Sequence, residues 1–365
     1  MKIFLLSDGN SIHTKRWVKG LHTRGYEIFL FSLNKIDPEL SFLKNTFSAE
    51  VDFNNNRKSI LSKFEYLKVY NKLKQKLKEF KPDLLHANYA SSYGLLGALS
   101  GFKPYIISVW GSDVFDFPKK SFLHKSILKF NLSRADKVLS TSHIMAKETS
   151  LYTNKAIDIT PFGVDLNFFR PTKPTRISEI NEGDIVIGTI KTLEEKYGIE
   201  YLIRAFKLIK DRGHKKLKLL IVGKGSQKEY LQNLVSELGI EKEVIFVGWL
   251  PYHEIPMYNN MLDIAVYPSI LDSESFGVSV VESGACEIPV VVSNKGGLVE
   301  VVEKNTTGLV AEAANYNSFA DQIELLLNDK QKREVMGKAA RKRVEKHYSW
   351  EENLSLMEDI YKSIV

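Results

Sequence analysis

Two kinds of hydrophobic pattern alternate along the chain. Short runs of β-branched and aromatic residues predict strands, and they read KIFLLS, YEIFLFSL, DLLHAN, YIISVW and KVLSTS in the first half and IVIGTI, KLKLLIVG, VIFVGWL, IAVYPS and IPVVVSN in the second. Longer amphipathic stretches with helical spacing lie between most of these runs. Because parallel strands need a crossover connection, the alternation predicts two doubly wound α/β domains in series.

The alternation is interrupted near residue 161, where PFGVDLNFFRPTKPTR contains three prolines and no helical period. Such a segment indicates a linker between domains. We expect an amino-terminal domain over residues 1–170, a second domain over 171–347, and a closing helix at 348–365. Ligands of open α/β sheets bind beyond the carboxyl ends of the strands, so we expect the functional site between the two domains.

Composition narrows the class of protein. The 365 residues are 44% hydrophobic and 26% charged, which is typical of soluble globular proteins. No stretch approaches the ~20 apolar residues that cross a bilayer, and the opening MKIFLLSDGN argues against a signal peptide, so we expect a cytoplasmic protein. The single cysteine, Cys286, excludes an intramolecular disulfide and is expected to be buried. Without a zinc ligand set or an Asp-x-Asp motif, we expect neither metal nor cofactor.

Positive charge is concentrated in the first half. Residues 1–170 hold 26 Lys and Arg against 15 Asp and Glu, whereas the remainder holds 25 against 29. Much of the excess lies in RKSILSKFEYLKVYNKLKQKLKEFK at 57–81, which reads as a basic amphipathic helix. Two interpretations stay open, a solvated helix packed on the domain or contact with anionic lipid or a lipid-diphosphate acceptor. Nucleic acid is disfavoured because no matching motif accompanies the charge.

The segment PSILDSESFGVSVVESGACEIPVVVSNKGGLVEVV at 268–302 carries the most chemistry. Glu274 is predicted in a loop before a helix and Glu282 about one turn inside it. The amino end of a helix attracts phosphate through free N–H groups, here predicted to come from Phe276, Gly277, Val278 and Ser279. Carboxylates accept hydrogen bonds from hydroxyls, so we expect Glu282 to contact a ribose and Glu274 a sugar ring.

These residues resemble a known family. The Glu-x7-Glu spacing, followed by Gly296, Gly297 and Glu300, resembles the retaining glycosyltransferases of family 4. Three further segments resemble the same family, namely residues 161–171, the stretch IGTIKTLEEKYGIEYLIRAF and residues 348–365. The resemblance implies the α/β fold called GT-B, with two Rossmann-like domains facing across a central cleft. It also implies transfer of a sugar, with retention, from a nucleotide diphosphate donor such as a UDP-sugar to a glycan or lipid-linked acceptor, often in surface polysaccharide biosynthesis.

The resemblance also implies roles for residues of the second domain. Lys191 and Lys196 match a basic pair that grips the donor diphosphate, with Lys191 at a position that is commonly arginine. Lysine keeps the charge but not the planar fork of arginine. The nucleotide base is expected near Val247 and Gly248. Gly223 and Gly225 are read as a strand-to-helix turn, because Lys228 stands where a dinucleotide fingerprint needs its third glycine.

In the first domain the resemblance points to the loops after three strands. Gly9 is expected near the diphosphate, and the acceptor is expected near His13, Asn88 and Asp113. Asn88 stands where the family often has histidine, with His86 two residues earlier, and Trp110 replaces another common histidine. No catalytic base is therefore assigned. The expected catalytic residues are Glu274, Lys196 and Asp113, while Trp17 is expected in the core.

Two other functions are compatible with parts of this pattern. A nucleotide-sugar epimerase on similar paired domains would bind a diphosphate sugar but need no second substrate. A non-catalytic module that binds polysaccharide or an anionic membrane would use the basic helix as its working surface. The combination of Glu274, Glu282, Lys191 and Lys196 argues against the second alternative, because such a module has no use for a donor site.

Overall fold

The structure is a computed structural model that describes residues 1–50, 60–173, 175 and 177–365, with the backbone alone for 60–67. Contacts divide the chain into two compact units. The first comprises Met1–Pro161 and Glu352–Val365, and the second comprises Phe162–Glu351. This division places 162–170, which we expected in the first domain, in the second unit.

The first unit is a doubly wound parallel sheet. Its strands are β1 (Lys2–Leu6), β2 (Glu27–Ser32), β3 (Asn45–Ser48), β4 (Leu84–Asn88), β5 (Tyr105–Val109), β6 (Lys137–Ser140) and β7 (Ile157–Ile159), and its helices up to residue 161 are α1 (Ile12–Thr23), α2 (Ile60–Phe80), α3 (Ser92–Ser100), α4 (Ser112–Phe115), α5 (Phe122–Arg134) and α6 (His143–Thr149). The strand order is β3-β2-β1-β4-β5-β6-β7. The chain therefore reverses its direction of winding between β1 and β4.

Helices α2, α3 and α5 cover one face of this sheet. Leu73 and Leu77 of α2 are buried in the same cluster as Leu128 and Leu132 of α5, and the expected basic helix is thus α2. Its predicted residues 57–59 lie outside the described part of the chain, as do the side chains of Leu61, Phe64 and Leu67.

The second unit repeats the architecture. Its strands are β8 (Ile185–Ile190), β9 (Leu217–Val222), β10 (Val244–Gly248), β11 (Ile264–Tyr267), β12 (Val290–Ser293) and β13 (Gly308–Ala311), and its helices are α7 (Ile199–Asp211), α8 (Lys228–Glu237), α9 (Ile255–Asn259), α10 (Val278–Ala285), α11 (Leu298–Val301), α12 (Tyr316–Leu327) and α13 (Lys330–His347). The order β10-β9-β8-β11-β12-β13 is that of the Rossmann fold. Its winding reverses between β8 and β11.

The last helix returns to the first unit. Helix α14 (Trp350–Ile364) buries Leu354, Met357, Ile360 and Tyr361, and from Glu352 onwards it belongs with the amino-terminal sheet. Across the described residues, none of the helices is both long and apolar enough to cross a membrane.

Candidate functional site

A buried ion pair lies at the point where the second sheet reverses its winding. Lys191 directly follows β8, and the chain that leaves the neighbouring β11 carries Ser269 and Glu274. The Lys191 Nζ atom lies 2.9 Å from Glu274 Oε2, and the Ser269 hydroxyl donates to the same oxygen at 3.1 Å. Carboxyl ends of parallel strands at such a reversal form the usual ligand site of doubly wound sheets.

Lys191 keeps its positive charge in this buried ion pair. Only 15% of the Lys191 side chain and 10% of the Glu274 side chain are exposed. Burial disfavours the ammonium form of Lys191, but the negative charge of Glu274, with smaller effects of Tyr197 and Glu282, outweighs it and raises the lysine pKa above its ordinary value. Lys191 is therefore cationic at neutral pH.

Lys196 joins this cluster through an aromatic ring. The Nζ atoms of Lys191 and Lys196 lie 4.3 and 4.9 Å from the centroid of the Tyr197 ring. The backbone N–H of Ile270 donates to the Lys196 carbonyl at 2.9 Å, which ties the lysine loop to the chain after β11. The two lysines that the sequence paired are thus neighbours, and an aromatic face stabilises both cations.

The amino end of α10 differs in one respect from the prediction. The helix begins at Val278, with Gly277 at the N-cap in the left-handed region (φ 99°) and no side chain capping it. Val278 and Ser279 therefore lie in its first turn. Phe276 precedes the cap and is 2% exposed, with its ring against Phe162 and Tyr348. The side chain of Phe276 thus belongs to the core and the residue lies outside the first helical turn, while a contact of its backbone with the donor stays a prediction.

Glu282 occupies the second turn of α10 and is only 5% exposed. The Tyr252 hydroxyl donates to Glu282 Oε1 at 3.0 Å. Tyr252 itself lies against Phe168 and Phe169, with ring centroids 5.6 and 5.7 Å apart. Sequence reasoning missed Tyr252; the available signal was its place in the loop that follows β10, at the same edge of the sheet.

Paired glycines hold the Glu274 loop. The Gly297 N–H donates to the Glu274 carbonyl at 2.6 Å. A Cβ atom at Gly296 would lie 2.2 Å from that carbonyl oxygen, and one at Gly297 would lie 2.6 Å from the Phe276 Cα. Only glycine allows the two segments to approach so closely, so the role of Gly296 and Gly297 is to fix the position of the Glu274 loop.

The ends of β9 and β10 complete the edge. The Gly223 N–H donates to the Gly248 carbonyl at 2.8 Å, and a Cβ at Gly223 would lie 1.9 Å from the Lys191 carbonyl oxygen. Val247 and Gly248 end the edge strand β10, and Gly248 has φ 89°. Gly223, at the end of the intervening strand β9, therefore links the end of β10, where the base is expected, to the backbone of Lys191.

In the first unit, Gly9 and Asn88 lie at the corresponding reversal between β1 and β4. Asn88 is 3% exposed, and its Nδ2 donates to the Ser7 hydroxyl at 3.1 Å. The Gly9 N–H donates to the Ser32 hydroxyl at 3.0 Å, and a Cβ there would lie 2.7 Å from Ile36. Both residues are therefore held by the ends of the strands.

Asp113 is a positioning residue in this structure. Its side chain is fully buried, and its carboxylate accepts the N–H groups of Ala90 at 2.7 Å, Gly111 at 2.8 Å and Trp110 at 3.1 Å. Burial raises its pKa, although these hydrogen bonds oppose the shift. The carboxylate joins the loops after β4 and β5, which is a different role from the direct contact with acceptor or sugar that we expected.

Two buried histidines of the first unit, His13 and His86, are neutral. Burial, with a contribution from Arg16, lowers the pKa of His13 to about 3, and its ring lies 5.9 Å from the ring of Trp110. Burial likewise lowers the pKa of His86 to about 3, and its two nitrogens contact the hydroxyls of Tyr361 and Ser108. His86 is thus a core residue.

Two family models match the chain. The model described as Glycosyl transferase 4-like matches residues 2–142, and the one described as Glycosyl transferases group 1 matches residues 172–343. The chain belongs to the group 1 glycosyltransferases. It is accordingly an enzyme, and its fold is GT-B.

Known relatives of this glycosyltransferase match different shares of the chain. An uncharacterised glycosyltransferase of Methanocaldococcus jannaschii is 32% identical over 55% of this chain, and the match spans half of that protein. The N-acetyl-alpha-D-glucosaminyl L-malate synthase of Bacillus anthracis is 26% identical over 95% of this chain and 92% of its own length. The crystal structure of Anabaena HepE in complex with UDP superposes with a TM-score of 0.81, with 18% identity and 99% of both chains covered.

Two expectations about single residues of the glycosyltransferase are confirmed, namely the burial of Trp17 and that of Cys286. Trp17 is 6% exposed and Cys286 is buried, as expected of core residues. Burial raises the pKa of the Cys286 thiol to about 12, so the thiol is protonated and unreactive at neutral pH. In the part of the chain that the structure describes, no group of three or more His, Cys, Asp or Glu side chains is arranged to hold a metal ion.

Proposed function

We propose that this glycosyltransferase transfers a sugar from a UDP-sugar to a glycan or lipid-linked acceptor, with retention of the anomeric configuration. One observation carries the proposal: Lys191 and Glu274 form a buried pair at the β8–β11 reversal, with Lys196 beside them on the Tyr197 ring. A cationic pair suits a diphosphate and a carboxylate suits sugar hydroxyls, so this cluster fits a nucleotide sugar.

Negative charge grows on the departing phosphate oxygen during glycosyl transfer, and preorganised cations stabilise it. Lys191, Lys196 and the first N–H groups of α10 are the donors we assign to this task, without a metal ion. Glu274 would then accept from the sugar ring, Glu282 would accept from the ribose, and the end of β10 at Val247 and Gly248 would border the base. The choice of UDP is supported by the UDP complex of HepE, and retention by the resemblance to family 4.

The acceptor side is proposed from charge. Helix α2 carries a row of lysines on the first unit, and residues 1–170 have 26 Lys and Arg against 15 Asp and Glu, whereas the remainder has an excess of acidic residues. This supports an acceptor held at an anionic membrane, with the enzyme bound peripherally at the cytoplasmic face and acting in surface polysaccharide biosynthesis. Asn88 and His13 are the residues we assign to the acceptor, and Gly9, assigned to the diphosphate, lies at the same end of the first sheet as Asn88.

The test is a screen of UDP-, GDP- and ADP-sugars for slow hydrolysis without acceptor, followed by NMR of the released sugar. We expect a UDP-sugar to be consumed, the sugar to appear first as the donor's anomer, and EDTA to leave the rate unchanged. Release of the opposite anomer would exclude retention. An epimerised donor that stays intact would indicate the epimerase, and binding without turnover would indicate a non-catalytic module.

Variants connect this activity to the cluster. Lys191→Ala should lower donor turnover by about 100-fold or more, the usual cost of removing a charge-stabilising donor. Lys191→Arg should keep much of the activity, because the charge is retained. Lys242→Ala, at an exposed lysine of the same unit, is the matched control. Equal rates for the Lys191→Ala and Lys242→Ala variants would contradict the proposed donor site.

A further inference from the structure

Helix α5 exposes three large apolar side chains that the fold does not use. Phe122 is 86% exposed, Leu123 is 65% exposed and Phe130 is 40% exposed, while Leu128 and Leu132 of the same helix are fully buried. At 3.6 residues per turn, the three exposed residues project away from the buried pair. Exposed apolar side chains that cluster on one element mark an interaction surface.

Cations surround this cluster. Between Phe117 and Arg134 the sequence has five Lys or Arg residues and neither Asp nor Glu. Lys125 and Lys129 are exposed and four residues apart, so they lie on one side of the helix beside Phe122. Lys120 is exposed just before the helix begins. The surface therefore has an apolar centre and a positive rim.

The helix that carries this surface is firmly held. Ser121 caps its amino end by accepting the His124 N–H, and the His124 ring lies 4.9 Å from the Phe117 ring. The fully buried Asn131 donates from Nδ2 to the carbonyls of Ala90 and Ser91 at 2.9 and 3.1 Å. The exposed residues are thus displayed by an ordered helix that packs on its other face.

We propose that the α5 patch, defined as Phe122, Leu123, Phe130, Lys120, Lys125 and Lys129, inserts into the interface of an anionic lipid membrane. The apolar side chains would enter the boundary between headgroups and acyl chains, and the lysines would meet anionic headgroups. A second copy of this chain would match the α5 patch less well than an anionic membrane does. A two-fold contact would place the same patch against itself and bring cations together without a carboxylate to balance them.

The patch lies on the side of the first unit where the acceptor is expected. Asn131 of α5 donates to the carbonyls of Ala90 and Ser91, which follow β4, so the helix contacts the loop at the edge of the sheet where β4 ends. Asn88 ends β4 at that edge. A membrane-bound enzyme would therefore hold a lipid-linked acceptor near Asn88, a consequence that rests on the proposed function, whereas insertion of the α5 patch does not depend on the proposed donor chemistry.

Vesicle binding tests the patch directly. The full chain is sedimented with sucrose-loaded vesicles of phosphatidylcholine alone or with 30 mol% phosphatidylglycerol. We expect binding to the anionic vesicles, at least tenfold weaker binding for the F122S/L123S/F130S variant, and a similar loss for K125Q/K129Q at low salt only. The L325S/V335S variant, at exposed apolar residues of the second unit, should bind like the parent.

A probe at residue 122 shows whether this surface is the one inserted. Because Cys286 is buried, the F122C variant can be labelled selectively with an environment-sensitive fluorophore, and its emission should shift to the blue on anionic vesicles. No binding by the parent, equal binding by the F122S/L123S/F130S variant, or binding without a shift would each overturn the proposal, as would a parent dimer that this variant abolishes. Donor hydrolysis should be unchanged in every patch variant, so failure of the proposed function is detected separately.

Discussion

Glu274 and Glu282 have different neighbours in the structure, and the difference predicts different roles. Glu274 is neutralised by Lys191, whereas Glu282 accepts from the neutral hydroxyl of Tyr252. The Glu282 side chain also lies on α10, whose amino end is expected to hold phosphate. Its position suits the ribose that is linked to that phosphate, while Glu274 suits the transferred sugar.

Removing either carboxylate should separate these roles. Glu282→Ala is expected to weaken UDP binding by about 10- to 100-fold, because a hydrogen bond to a charged acceptor contributes about 1.5 to 3 kcal/mol. Glu274→Gln should leave UDP affinity at neutral pH nearly unchanged and reduce sugar transfer. Calorimetry with UDP measures the first effect, and donor turnover measures the second. Tyr252→Phe, which removes the hydrogen bond to Glu282, should weaken UDP binding less than Glu282→Ala does. Equal losses of UDP affinity in both variants would contradict the assignment.

The ion pair also predicts a change in pH dependence. Glu274 raises the pKa of Lys191 against the opposing effect of burial, so in Glu274→Gln burial acts with less opposition and the lysine pKa falls. A lysine is charged below its pKa, so the variant should lose this cation at a lower pH than the parent. As the pH rises, UDP affinity of the variant should therefore begin to fall at a lower pH than that of the parent. If UDP affinity depends on pH in the same way in the variant and the parent, this coupling is contradicted. Glu241→Gln, at an exposed carboxylate of the second unit, is the control.

At the scale of elements, the sequence predicted ten of the strands and missed β3, β7 and β13. All three are edge strands of three or four residues. An edge strand has a neighbour on one side only, so it needs no continuous apolar run, and NTFS and IDI have none. Central strands of a parallel sheet are covered on both faces and therefore show the apolar runs that the pattern detects.

The residues of the candidate site were assigned largely through the resemblance to family 4. Lys191, Lys196 and Glu274 are charged residues in short loops at strand ends, where a fold of this kind places its ligands, and each of them alone could equally be a solvated charge. Tyr252 and the packing of Phe276 depend on contacts between distant segments, such as the ring of Phe162 beside that of Phe276. Spacing along the chain contains no information on such contacts.

The lysines of α2 lead to a prediction at the same scale. Lys76 pairs with Glu79 at 2.6 Å and Lys72 donates to Gln75, whereas Lys74 and Lys78 are exposed on the side away from the buried leucines. We therefore expect K74Q/K78Q to weaken binding to anionic vesicles by about 30-fold, at ~1 kcal/mol per lysine, and K72Q/K76Q to have a smaller effect. Salt should remove the difference, because charges are screened beyond ~8 Å at physiological ionic strength. If both variants sediment with the vesicles as well as the parent at low salt, α2 is only a solvated surface.

At the scale of the whole molecule, the two units differ in how the chain builds them. The second unit is one continuous segment, Phe162–Glu351, whereas the first needs both ends of the chain. Tyr361 of α14 is 1% exposed, and its hydroxyl contacts the Nδ1 atom of the buried His86 at 2.7 Å. The Arg24–Glu358 ion pair adds a second contact between α14 and the amino-terminal part.

Deleting residues 352–365 should therefore destabilise the first unit selectively. The deletion removes the buried side chains of Leu354, Met357 and Ile360 and takes the Tyr361 hydroxyl away from the Nδ1 atom of His86. A buried polar group that loses its partner costs about 1 to 3 kcal/mol. Calorimetric unfolding should show the transition of the first unit lowered or lost, while the transition of the second unit stays in place and still rises on addition of UDP. The Tyr361→Phe variant should lower the first transition alone by a smaller amount, and deletion of 363–365 should have little effect. If both transitions move together in the 352–365 deletion, the two units do not unfold as separate cooperative bodies and the contribution of α14 is not confined to the first.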